Sequence, residues 1–142
     1  MTPDTSPCPC ARALGPSRKP LAYATCCGRY LDHFEASPAP DAESLMRSRY
    51  TAFVQERADY LLATWHASHR PAAIDFEPGV RWLGLTVRAH RQLDADHAEV
   101  EFVARLRHAS GRASRMAECS RFVREDGRWS YVEGTAQAQA LV

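Results

Sequence analysis

Arg121-Phe122-Val123-Arg124-Glu125-Asp126-Gly127-Arg128-Trp129-Ser130-Tyr131 is two strand-forming runs around an Asp-Gly pair. Asp-Gly between alternating apolar and polar residues is a strong hairpin signal, because both turn positions need positive φ and these residue types supply it. The resulting register sets Phe122 opposite Tyr131 and Ser120 opposite Glu133. One turn earlier, Ala109-Ser110-Gly111 closes a second hairpin, with Phe102 opposite Glu118 and Ala104 opposite Met116. With the turn at Asp94 to His97, the segments Val80 to Leu93, Ala98 to Arg107, Arg112 to Glu125 and Arg128 to Thr135 form an antiparallel meander.

Successive side chains of a strand point to opposite faces, so these registers sort the residues. One face collects Val100, Phe102, Ala104, Leu106, Met116, Phe122, Trp129 and Tyr131, together with Glu118, Ser120 and Glu133. The other receives Glu99, Glu101, Arg105, Arg107, Arg115, Arg121 and Arg128 and faces solvent.

Before Pro78-Gly79 the period is helical. Apolar Ala42, Leu45, Met46, Phe53 and Val54, with Tyr50 beside them, line one side of a helix that Asp41 can cap. A shorter helix runs from Asp59 through Leu61, Leu62 and Trp65 and ends near His66. Two helices covering the apolar face of a curved four-stranded antiparallel sheet define an α+β architecture. Arg49 lies inside the apolar stripe; it either snorkels to the edge or is buried, and burial would call for a carboxylate. Polar groups on a core face also need partners, which points to a cavity lined by Arg49, Glu118, Ser120 and Glu133, with Tyr50 and His66 beside it. These groups either neutralise one another as a buried network or serve as acid, base and anchor for a small ligand.

Four of the five cysteines, Cys8, Cys10, Cys26 and Cys27, crowd the first fifth of the chain. Four thiolates match the tetrahedral sulfur shell of Zn²⁺ and leave no open position for catalysis at the metal. A thiol-exchange site and unused cysteines are the alternatives. A Cys26–Cys27 disulfide is disfavoured, because adjacent Cα atoms are only ~3.8 Å apart. The segment from Cys8 to Tyr30 has no acidic residue, which suits an anionic Zn(Cys)₄ centre. Ser37-Pro38-Ala39-Pro40 makes a stiff link, dividing an N-terminal unit, residues 1–36, from a body, residues 37–142. The Pro/Thr/Ser/Asp start, residues 1–7, reads as disordered.

A net charge of +1 argues against wholesale nucleic-acid binding, and acidic residues interrupt the arginine face. With no membrane-length apolar run and no leader pattern, a cytoplasmic protein is expected, where thiols stay reduced. Cys119 lies on the solvent face and is not read as a nucleophile.

Cys8-Pro-Cys10 with Cys26-Cys27-Gly28 resembles the SEC-C knuckle, the zinc motif also found at the tail of the protein-translocase motor ATPase. Leu45-Met-Arg-Ser-Arg-Tyr-Thr-Ala-Phe53, Asp59-Tyr-Leu61, Thr64-Trp-His66, Trp82-Leu-Gly-Leu-Thr-Val87, Glu118-Cys-Ser-Arg-Phe122 and Gly127-Arg-Trp-Ser-Tyr131 resemble the YchJ-like family, UPF0225. That resemblance implies an NTF2-like cone behind a structural zinc knuckle, a protein partner for the knuckle by analogy, and a homodimer through paired sheets; it implies no activity. The chain departs from the usual knuckle in its longer Ala11 to Thr25 loop, with Pro16 and Pro20. It also ends at Gln137 to Val142, where some members carry a second knuckle. A protein-interaction module beside an NTF2-like body is therefore the first expectation, and a ligand-binding or enzymatic cavity the second.

Overall fold

Asp41 starts the main helix, α2 (Ala42–Val54), its carboxylate accepting the Ser44 backbone N–H at 2.7 Å. A cap of this kind is worth about 1 kcal/mol. The computed structural model describes residues 5–13 and 18–136, so the expectations for residues 1–4, Pro16 and the tail from Gln137 lie outside the described residues. At its C-terminal end α2 is closed by Arg57 N–H to Ala52 O at 2.8 Å and Glu56 N–H to Phe53 O at 3.2 Å. Glu56 takes φ 55° there, the left-handed position that glycine usually fills. The neighbouring helices are short: α1 (Gly28–Leu31) precedes the proline link, and α3 (Ala58–Ala63) comes after α2.

Four strands, β1 (Arg81–Asp94), β2 (His97–Arg107), β3 (Ala113–Glu125) and β4 (Arg128–Ala136), form one antiparallel sheet in sequence order. The turn between β3 and β4 is the expected one, with Asp126 at φ 52° and Gly127 at φ 77°. Phe102 faces Glu118, Ala104 faces Met116 and Phe122 faces Tyr131, as the sequence requires. The expected pairing of Ser120 with Glu133 does not occur. A bulge leaves Val132 without a facing partner, so Arg121 pairs with Glu133 and Ser120 with Gly134. An extra residue in a ladder of period two reverses the face of every later residue in the strand, and Glu133 turns outward. Register shifts at Trp82/Gly84, Val87/Ala89 and Gln92/Asp94 also interrupt β1. Such bulges bend a sheet, here around α2.

One buried cluster runs from Cys10 and Tyr23 through Leu45 and Leu61 to Val100 and Phe122. Met116 departs from its expected core position and is 41% exposed near the end of the sheet. Arg128 departs from the solvent face: its guanidinium donates to Phe34 O at 3.1 Å and Glu35 O at 2.9 Å and lies over the Phe34 ring. After α3 the chain zips onto β4, with His66 N–H to Tyr131 O at 2.7 Å and Tyr131 N–H to Thr64 O at 2.8 Å. That pairing covers part of the sheet edge and fixes Trp65 against the Tyr131 ring, centroids 5.2 Å apart.

Candidate metal centre and cavity

Two rungs draw the cysteine pairs together. Cys8 N–H donates to Leu21 O at 2.8 Å and Tyr23 N–H to Ser6 O at 2.8 Å, which sets the Cys8 to Cys10 turn beside Cys26 and Cys27. Ala11 closes that turn, its N–H on Cys8 O at 2.9 Å, in the left-handed region at φ 59°. Position 28, next to Cys27, is glycine because a Cβ there would meet the Tyr23 ring and carbonyl at 2.8 Å.

The four cysteines are buried and their Sγ atoms lie within 4.8 Å of one another. The Cys10 and Cys26 sulfurs are 3.6 Å apart, far beyond a ~2.05 Å disulfide bond. Four ligands at ~2.3 Å in a tetrahedron would be separated by about 3.8 Å, so the donor set fits zinc. The four thiols cannot all ionise at this spacing without a cation. Hydrogen bonds from neighbouring sulfurs push the Cys8 and Cys10 thiols down, while the same crowding, with burial, pushes Cys26 and Cys27 up.

The centre rests directly on α2. Cys8 Sγ lies 3.8 Å from Thr51 Oγ1, Arg47 donates to Cys10 O at 3.1 Å, and Arg12 donates to Ser44 Oγ at 2.9 Å. Arg57 reaches back to Leu31 O at 2.7 Å. The same helix forms one wall of a cavity of about 280 Å³ with Met46, Arg49, Tyr50 and Phe53; the sheet supplies the opposite wall, including Glu118, Ser120 and Tyr131. The four-cysteine cluster and the cavity therefore both rest on one helix.

Arg49 is buried, 4% exposed, but its partner is not a carboxylate. Its Nη1 donates to Leu61 O at 2.8 Å and to Thr64 Oγ1 at 2.7 Å, and the Thr64 hydroxyl donates onward to Tyr60 O. The guanidinium lies against two touching rings, 5.1 Å from Trp65 and 4.6 Å from Tyr131. Burial brings its pKa down to about 10, against the opposing pull of Tyr131, Tyr60 and Glu118. Glu118 is held separately: Ser120 Oγ donates to its Oε2 at 2.6 Å and the Tyr131 hydroxyl at 3.3 Å. Burial and the Glu118 charge push Tyr131 up to about 12, so the phenol keeps its proton and donates. Gly134, turned inward by the bulge, makes room for Glu118, since a Cβ there would overlap that carboxylate.

Arg49, Tyr50, Glu118 and Ser120 thus meet at the cavity, and two expected members do not. Glu133 faces outward, paired with Arg121 and 3.7 Å from His69. His66 turns away from the cavity, with Nε2 3.0 Å from Glu125 and Nδ1 2.7 Å from Ser68, because the backbone bonds to β4 direct Trp65 inward in its place. Trp65, Trp82 and Phe53 also form the wall; the sequence marks Phe53 as part of the apolar helix stripe and Trp65 as part of the second helix, and gives neither tryptophan a place at the cavity.

Helices on a curved antiparallel meander, behind a four-cysteine centre, define an NTF2-like domain with a SEC-C-type motif. Residues 41–134 match the family described as YchJ, middle NTF2-like domain. A UPF0225 protein of Polaromonas sp. is 72% identical over 127 residues, covering 89% of this chain and 91% of the relative. One from Xanthomonas campestris is 53% identical, covering 94% and 98%. Among solved structures, a SEC-C motif containing protein from Psychrobacter arcticus superimposes with a TM-score of 0.75 at 30% identity, covering 94% of this chain and 84% of that one. Another from Rhodopseudomonas palustris gives 0.74 at 30% identity, covering 84% and 94%. The chain belongs to the UPF0225 family. No helix among the described residues is long and apolar enough to cross a membrane.

Proposed function

We propose that the protein is a cytoplasmic, zinc-braced small-molecule-binding domain: Cys8, Cys10, Cys26 and Cys27 hold a structural zinc that fixes α2, and α2 presents a binding cavity. The observation that carries the binding reading is Arg49, a buried cation in the cavity wall with no carboxylate paired to it among the described residues. Proteins rarely bury such a group without a partner, and a ligand can be that partner. A cysteine cluster read as a metal site suits the cytoplasm, where thiols stay reduced. Zinc is saturated by the four sulfurs and takes no part in chemistry. Metal analysis of protein purified without added metal should find near one zinc per chain, and the Cys26→Ser variant should lose it. Thiols that titrate freely, with no metal present, would overturn the zinc assignment.

A second reading keeps the knuckle as a protein-interaction module. It is supported by the exposed basic residues Arg18 and Arg29 on a segment without acidic groups, which suits an acidic partner surface. The charge reversal Arg18→Glu should then weaken co-purification of partner proteins while the zinc content stays unchanged, since Arg29, which holds Cys26 O at 3.1 Å, is left in place. Retention of the same partners by the reversed variant would remove this reading.

A further inference from the structure

We propose that the cavity binds a small aromatic carboxylic acid, its carboxylate on Arg49 and its ring against the aromatic surface formed by Trp82, Tyr50 and Phe53. This inference rests on the reading of the body as a ligand-binding domain. Arg49 spends only Nη1 on the protein; Nε and Nη2 make no hydrogen bond among the described residues, and the residue lines the cavity. A guanidinium presents its donors as a planar fork that fits a carboxylate two-on-two. The polar demand of this end of the cavity, set by the remaining Arg49 donors, is therefore for acceptor oxygens.

Glu118 does not meet that demand. Tyr131 stands between the two groups, its ring under Arg49 and its hydroxyl on Glu118 Oε2. The remaining wall selects the rest of the ligand. Trp82 packs on Tyr50 at 5.7 Å and on Phe53 at 5.8 Å between centroids, making an apolar aromatic surface. Such a surface favours a flat ring over a hydrated inorganic anion or a sugar acid. Aromatic walls can also hold cations, but Arg49 already places a positive charge among them. The volume, about 280 Å³, lies at the lower edge of the ~300 to 1,000 Å³ of ligand pockets, which limits the ligand to one or two fused rings.

The test is titration calorimetry on the full chain with three probes that share one ring system: 2-naphthoate, 2-naphthylmethanol and 2-naphthylmethylammonium. The expected result is that 2-naphthoate binds at least about tenfold more tightly than the alcohol and that the ammonium binds worst. Arg49→Met should erase the preference for naphthoate over the alcohol. Glu118→Gln should tighten naphthoate binding, because it removes the one other charge in the wall; this variant decides the matter if Arg49→Met does not fold. An alcohol or ammonium that binds wild type as well as naphthoate, or a Glu118→Gln variant with weakened naphthoate binding, would overturn the carboxylate assignment and leave a ligand-binding domain. Failure of all three probes to bind would overturn both.

Discussion

Stripping the proposed zinc from the four-cysteine centre, by a strong chelator or by Cys26→Ser, is expected to lower the melting temperature of the whole chain by more than ~10 °C. That shift corresponds to a loss of about 4 kcal/mol at roughly 3 °C per kcal/mol for a chain of this length. Isolated zinc modules derive about 10–16 kcal/mol from the metal; here a second core remains, so the loss is smaller. The effect spreads because the cysteines sit inside the core rather than on an appendage: Cys10 is fully buried, and Cys8, Cys26 and Cys27 are 1–3% exposed. Released, they would leave Thr51, Ser44 and the Arg47 contact to Cys10 O open to water along α2. Scanning calorimetry of treated and untreated protein checks this. Equal melting temperatures would mean that the metal decorates a fold complete without it.

Phe122→Ala is expected to cost about 3–5 kcal/mol, a large share of the ~5–15 kcal/mol that stabilises a domain. Phe122 is 1% exposed at the middle of the sheet and meets Tyr131 edge-on at 5.8 Å. The cavity left behind would free Tyr131, on which both Arg49 and Glu118 rely. Leu93→Ala, at a site 56% exposed, should stay within about 0.5 kcal/mol. Urea midpoints of the two variants measure the difference; similar midpoints would show that the inner face of the sheet is not the stabilising core.

The sheet was legible because its punctuation is local. Asp126-Gly127 and Ala109-Ser110-Gly111 name their turns, and alternation carries the β3–β4 register as far as Phe122. The bulge at Val132 has no residue signature: valine is a good strand former, and nothing in Tyr131-Val132-Glu133 marks one residue as extra. Glu133 was misplaced for that reason alone. The end of α2 was equally silent, since Glu56 stands where a glycine would have announced the stop. Arg49 was legible as an anomaly in an apolar stripe, but its partners were not, because Leu61 O and two aromatic rings are recruited by the way α3 folds back. The cysteines needed no fold to be noticed. What the sequence withheld was their position in the core, set by long-range contacts to α2.

The unpaired residue in β4 also sets the electrical character of the cavity. With Glu133 inside, two carboxylates would face one guanidinium, and the site would draw cations and repel acids. With Glu133 spent outside on Arg121, Glu118 and Arg49 balance formally, and an incoming anion meets one opposing charge already occupied by Ser120 and Tyr131. One residue of strand length, with no change in the composition of the chain, decides whether the cavity wall is formally neutral or negative.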